Sequence, residues 1–394
     1  MNILFISSYY LFDKTRFGGS KRLYLLAKEL QKHATVTLLC LDGCEEIQTV
    51  MENIQDHSDF KRFLFVPKAD NRSFLKKIFS SGLIIENELI SQRDAIAPFL
   101  NAESYDAVVL AFPLALSFIN TVITPGAFPI IYIEDDLFLE KIQFEKRFSF
   151  FAPLYRFFRH RQLRLFYQKK LAYCKTILAI SNQEKDLLKK RFPKANVGVL
   201  GYGIPLEEFP FIPSFPSAFS IGFIGNYYHT PNAEGLRWFL QAIYPTLQAS
   251  IPALKFYCAG RSIPQDVRNA YSRNNSIQWL CDIENLADFY SNISVFVNPI
   301  ISGRGMRTKL IECAAFGRPI ISTRLGCEGF EEFHVEVAET AGEFAASCHK
   351  FIANKSLLPT IAKANRTIIE QQYTIEKVGQ KLFLELQSAN RTKP

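Results

Sequence analysis

The chain has 394 residues, too many for one hydrophobic core of ordinary size, so two domains are expected. Apolar residues make up 48% of it, which excludes a disordered chain, and no apolar run reaches the ~18 residues that span a bilayer. The net charge of +8 is concentrated: residues 141–175 hold ten Lys and Arg against one acid, Glu145, leaving the rest near neutral.

The chain enters a strand at Asn2-Ile3-Leu4-Phe5-Ile6 with no basic region before it, so no signal peptide is expected. Eight cysteines placed singly, with no C-x-x-C pair, read as thiols of a reducing compartment. A cytoplasmic protein is the expectation. In chain order, strands are expected at 3–7, 35–41, 62–66, 107–112, 130–134 and 176–181, with 197–200 a further candidate. Gly18-Gly19 follow the first strand, and the helix expected at 20–33 carries Leu23, Leu26, Ala27 and Leu30 at i, i+3, i+4, i+7 spacing. Near-continuous apolar strands separated by helices imply a parallel sheet covered on both faces.

Residues 201–219 contain Pro205, Pro210, Pro213 and Pro216 and no periodicity, a linker composition. The alternation then restarts, with strands expected at 220–224, 254–259, 276–280, 294–297 and 319–323, and final helices at 341–354, 356–372 and 375–387. The expected division is therefore 1–203, a linker at 204–219, 220–374, and a last helix at 375–394 able to cross back to the first domain. Both domains read as doubly wound α/β sheets, which bind ligands at the carboxyl ends of their strands.

Chemistry concentrates after the strand at 294–297. Gly303-Arg304-Gly305-Met306-Arg307-Thr308-Lys309 leads into a helix bearing Glu312, and Gly317 and Pro319 end that helix before another apolar strand. Glycines allow close approach of an anion, Arg307 and Lys309 add positive charge where a helix start already favours phosphate, and Glu312 can accept from the two hydroxyls of a ribose. These are the parts of a nucleotide site; an ordinary αβ turn with a solvated basic end is the plainer alternative. Gly18-Gly19-Ser20-Lys21 lacks the spacing of a P-loop and Gly222-x-x-Gly225 that of a dinucleotide fingerprint, so ATPase and dehydrogenase readings lose their support.

Three further segments carry a resemblance: Gly225-Asn226-Tyr227-Tyr228-His229-Thr230-Pro231-Asn232 with Leu236-Arg237-Trp238-Phe239, the run Gly305 to Gly317 ending in Arg318-Pro319-Ile320-Ile321, and Leu325-Gly326-Cys327-Glu328-Gly329. Together they resemble the GT-B glycosyltransferases, specifically the retaining glycosyltransferase family four. Gly18-Gly19 and Ile180-Ser181-Asn182-Gln183-Glu184 are similar but less specific. The resemblance implies two Rossmann-like domains, the first on the acceptor side and the second holding a nucleotide-diphosphate sugar. It implies Arg307 and Lys309 on the diphosphate, Glu312 on the ribose, Gly225 and Asn226 in a loop near the phosphates, and Gly18 and Gly19 closing from the first domain. Cys281-Asp282-Ile283 would border the nucleobase, with Gly303, Arg304, Gly305, Met306 and Thr308 completing the donor site. No metal or other cofactor is implied, because basic side chains and N–H groups stabilise the departing diphosphate.

Three departures accompany the likeness. Arg304 stands where many members have a sugar-facing Glu; no Arg or Lys follows Gly225, where Asn226, Tyr227, Tyr228 and His229 stand instead; and the strand end expected to carry a His-Asp pair reads Glu134-Asp135-Asp136. Glu134 and Asp135 are candidates for the polar role near the sugar, and His229 is a candidate in the donor loop. A D-x-D-type metal site at 134–136 is the alternative use of those acids. Expected partners are the nucleotide-sugar donor, a glycan or lipid-linked acceptor, and, through basic residues 141–175 with their interleaved aromatics, a weak association with the inner anionic membrane face. No nucleic-acid recognition module accompanies that charge. A nucleotide-sugar epimerase and a non-catalytic binding subunit are the competing functions.

Overall fold

The computed structural model describes residues 1–7, 11, 18–42, 60, 62–67, 104–120, 123–134, 161, 164–283, 285–303 and 306–391. The described chain divides into two compact units, Met1–Ile204 with Ile375–Pro394, and Pro205–Thr374.

The first unit contains seven strands, β1 (Asn2–Ser7), β2 (Thr35–Asp42), β3 (Arg62–Pro67), β4 (Ala107–Ala111), β5 (Ile130–Glu134), β6 (Thr176–Ala179) and β7 (Val197–Val199). They form one sheet in the order β3-β2-β1-β4-β5-β6-β7 with every pairing parallel. Alternation along the strands feeds two cores. Ile3, Phe5, Val36, Leu38 and Val109 face the helices Gly18–Leu30 and Ile375–Arg391, through Leu23, Leu26, Ala27 and Leu30 of the first and Val378, Leu382 and Leu386 of the second. Leu4, Ile6, Val108, Leu110 and Ile177 face the other way, onto Leu116, Tyr167, Leu188 and Phe192. Strand β4 stops one residue short of expectation because Phe112, ahead of Pro113, takes a φ of 66°.

The second unit contains β8 (Ser220–Asn226), β9 (Lys255–Arg261), β10 (Ile277–Cys281), β11 (Val295–Asn298), β12 (Ile320–Ser322) and β13 (Val335–Val337). Its sheet runs β10-β9-β8-β11-β12-β13, again all parallel. Strand β13 had no sequence signal: at three residues, none of them fully buried, it is too short for periodicity to register. The helix Thr230–Trp238 runs on through a π-helical turn, Phe239–Ile243, into Tyr244–Ser250, where Pro245 has no N–H to give to the regular helical ladder. Phe239 is buried, and Trp238 is half-buried with its ring 6.1 Å from that of Phe344.

Residues 205–219 pack within the second unit. Arg318, fully buried, donates from Nε to Tyr290 O (2.6 Å), from Nη1 to Ile212 O (3.0 Å) and from Nη2 to Ser214 O (2.9 Å), and lies over the Phe215 ring. Arg366 Nη1 donates to Phe209 O at 2.6 Å. Composition described a linker; two arginines fasten it to the fold.

Candidate functional site

In the second sheet the chain order reverses between β8 and β11, the switch point at which doubly wound sheets bind ligands. The residues at its carboxyl edge are Gly225-Asn226 of β8 and the segment beyond Asn298 of β11. Two helices start there, Thr230–Trp238 and Thr308–Phe316, and each contributes a partly positive N-terminal end.

One hydrogen bond joins the two helix starts. Lys309 Nζ donates to Asn232 Oδ1 at 2.6 Å, and Asn232 Nδ2 donates to Asn226 O at 2.8 Å. The ammonium lies 4.6 Å from the centroid of the Phe223 ring on β8. Among the described residues no carboxylate forms an ion pair with Lys309. Burial, reinforced by the neighbouring Arg307 charge and opposed by Glu312, pushes the Lys309 amine down to about 7. The Arg307 guanidinium is also lowered by burial, against the opposing pull of Glu328. It donates to Ser302 O at 3.3 Å and so closes the turn before its helix.

The glycines here have particular neighbours. A Cβ on Gly225 would stand 3.0 Å from Asn232 Nδ2, so the space this glycine leaves is filled by the Asn232 amide. Gly303, at φ +87°, has Pro231 so close that a Cβ would fall 2.5 Å from its Cγ. Ser302 hydrogen-bonds Glu234 on the same helix. Ser302, Gly303 and Lys309 are therefore joined to residues 225–234.

The remaining expected residues are distributed as follows. Met306, Thr308 and Glu312 are half-buried around Lys309's helix. His229 is exposed at the N-cap of Thr230–Trp238 and makes no side-chain capping bond. Cys281 ends β10, and Asp282 and Ile283 follow it; Cys281 is exposed with Arg268 Nη1 3.2 Å from its sulfur, and Asp282 takes a φ of 50°. Gly18 and Gly19 open the helix Gly18–Leu30 of the first unit. Glu134 ends β5 of that unit, fully buried, and accepts a 2.7 Å bond from the Tyr132 hydroxyl, whose pKa burial and the Glu134 charge hold well above its ordinary value. Asp135, Asp136, Arg304 and Gly305 lie outside the described residues, as do residues 141–160 of the basic segment. Among the described residues no group of three His, Cys, Asp or Glu is placed to hold a metal ion, and no helix is long and apolar enough to cross a membrane.

Sequence reasoning missed Asn232 and the role of Gly260. Asn232 stood inside the quoted loop, but an Asn after a Thr-Pro helix start is an ordinary N-terminal residue and carries no signal of a bond 77 positions away. Gly260 faces Gly225 across the sheet, and its Cβ would fall 1.9 Å from Gly225 O.

Residues 218–354, which include all of this site, match the family model described as glycosyl transferases group 1. Over its full length the chain superposes on a sucrose-phosphate synthase from Thermosynechococcus elongatus with a TM-score of 0.69 at 16% identity, covering 99% of this chain and 100% of that one. Anabaena HepE in complex with UDP superposes at 0.66 and 14%, covering 98% and 100%, and a glycosyltransferase from Rickettsia africae at 0.68 and 13%, covering 99% of each. The fold is that of the GT-B glycosyltransferases. By sequence, 173 residues are 27% identical to an uncharacterized 44.6 kDa protein in the cps region of Klebsiella pneumoniae, covering 41% of this chain. The chain thus spans 45% of the length of that curated relative.

Proposed function

We propose that the protein transfers a sugar, of the hexosyl type, from a nucleotide-diphosphate donor to a hydroxyl acceptor, without a metal ion and with retention at the anomeric carbon. The observation that carries this reading is Lys309: a half-buried amine at a helix start, without a carboxylate ion pair among the described residues, is a cation whose burial a bound anion would offset. A diphosphate between the two helix starts supplies that anion. As the anomeric carbon–oxygen bond breaks and the acceptor oxygen takes its place, charge grows on the diphosphate. Lys309 and Arg307 meet that charge, and the acceptor proton leaves with the departing nucleotide. Glu312 accepts from the ribose hydroxyls, Cys281–Ile283 border the base, and Asp135 and His229 serve the sugar and acceptor; Glu134, fully buried and held by the Tyr132 hydroxyl, is not available for that role. The relative in the cps region supports a role in surface or cell-envelope glycan synthesis. The basic segment supports work at the inner membrane face.

Incubation with a panel of nucleotide sugars tests the reading. Wild-type protein is expected to hydrolyse or transfer one donor, and to do so equally in EDTA. Lys309→Ala should lower turnover ~100-fold. Glu312→Ala should weaken donor binding about 10-fold or more. A new free nucleotide sugar as product would make the protein an epimerase, no turnover would leave a binding subunit, and an EDTA loss restored by Mn²⁺ would return residues 134–136 as a metal site.

A further inference from the structure

Among the described residues, Lys309 is held by one side chain from another helix. Asn232 sits at the third position of Thr230–Trp238, and its amide divides its two functions between two elements. The oxygen accepts from Lys309 Nζ (2.6 Å) on the helix Thr308–Phe316; the nitrogen donates to the carbonyl of Asn226 (2.8 Å) at the end of β8. The surroundings accommodate this amide. Gly225 leaves open the space it occupies, and Gly303 permits the close approach of Pro231, the residue before it. Asn232 is half-buried, and its bond to Lys309 is the more sheltered of the two.

We infer that Asn232 is a positioning residue for phosphate recognition, aiming the Lys309 amine into the gap between the two helix starts and tying it to the loop that follows β8. The inference rests on the donor-site reading above and adds to it a residue that touches the lysine rather than the substrate. Its chemistry suits the task. An amide oxygen fixes the direction of an ammonium without neutralising it, leaving two of its three N–H groups for phosphate oxygens. A carboxylate in the same place would fix it and cancel its charge. The positions β8 leaves without a basic side chain, Asn226 to His229, are thus compensated by an amide that recruits the lysine of the other helix.

The charged groups acting on Lys309 are Arg307, which lowers its proton affinity, and Glu312, which raises it; both lie on its own stretch of chain. Among the described residues, β8 offers it the Phe223 ring and Thr230–Trp238 the neutral Asn232. Exchanging Asn232 therefore changes the lysine's proton affinity in a sense set by the substituent. Removing the acceptor lowers it, and substituting a carboxylate raises it.

The test measures binding of UDP, GDP and ADP by calorimetry from pH 6 to 9, with wild-type protein, Asn232→Ala and Asn232→Asp. With whichever nucleotide binds the wild type, Asn232→Ala should weaken binding at pH 6.5 about 10-fold. The midpoint above which affinity falls should shift to lower pH in Asn232→Ala and to higher pH in Asn232→Asp. A residue that only packs would lower affinity in both variants without moving the midpoints apart. Equal midpoints, or wild-type affinity in both variants, would overturn the inference while leaving the donor site in place. A wild-type protein that binds none of the three would overturn both. Asn232→Asp is nearly isosteric and keeps the acceptor, so it reads out the midpoint even if Asn232→Ala fails to fold.

Discussion

Under the proposed function, Lys309 is the residue at which function and stability oppose each other. In an unfolded chain its amine keeps its proton to the ordinary value of 10.5, whereas in the fold the value falls to about 7. Between those limits the unfolded chain binds more protons, so stability must rise with pH through this window. The burden is fully present below pH 7 and is relieved as pH climbs toward 10.5. Replacing Lys309 by Met removes it. Denaturant titrations at pH 6.5 and 9.5 should then show the wild type gaining stability relative to Lys309→Met at the higher pH. Parallel behaviour of the two proteins would mean that the amine is well solvated. A bound diphosphate reverses the situation by holding the lysine charged, so binding above pH 7 should take up protons. The residue types of the proposed site come from the sequence, where Arg307, Lys309 and Glu312 at a glycine-led helix start read as partners for an anion and a ribose. The partner of the lysine was not legible, because Asn232 comes from a helix 77 positions earlier.

At the scale of elements, the proline-rich segment shows how composition and packing can disagree. Four prolines and no periodicity describe a chain with no secondary structure of its own. They do not describe whether its carbonyls find donors. Arg318 supplies them to Ile212 and Ser214 while holding Tyr290 O and stacking on Phe215. Burial lowers its pKa to about 10, which still leaves it charged at neutral pH. Arg318→Met should keep much of the packing but strand the buried Tyr290 carbonyl and the partly buried carbonyls of Ile212 and Ser214, at a cost of about 2 kcal/mol or more. A urea midpoint lowered accordingly, together with faster proteolysis within residues 210–216, would bear this out. An unchanged midpoint and cleavage pattern would show that the segment is held by its prolines and aromatics alone. In sequence, Arg318 followed a helix-ending glycine and nothing local marked it as the anchor of residues 212–214.

At the scale of the whole molecule, the uneven charge is the feature with the widest reach. Within the described part of the basic segment, Arg161, Arg164 and Lys169 are exposed. Lys170 and Tyr167 turn inward, the lysine to Ile119 O and the tyrosine to stack on Phe192. One helix thus serves both the core and the surface. The exposed cations should draw the protein weakly to anionic vesicles, at about 1 kcal/mol per basic residue near the surface. Flotation with phosphatidylserine-containing liposomes should recover the protein at low salt and release it at high salt. Recovery unaffected by replacing Arg161, Arg164 and Lys169 with Gln would assign the segment to packing alone.

The sequence by itself determined the class of the fold. Apolar runs of strand length alternating with amphipathic helices can bury their surfaces only in parallel sheets covered on both faces, and the strands β1, β5 and β11 fall within a residue or so of where hydrophobicity and turn residues put them. It also carried the local signals, charge and glycine at one helix start, on which the proposed anion site rests. Tertiary structure alone decided what those local signals are bonded to. The Asn232–Lys309 bond, the meeting of Gly225 with Gly260 and the grip of Arg318 on residues 212–214 all join positions far apart in the chain. Such contacts depend on the register and order of the strands, to which hydrophobic periodicity is blind.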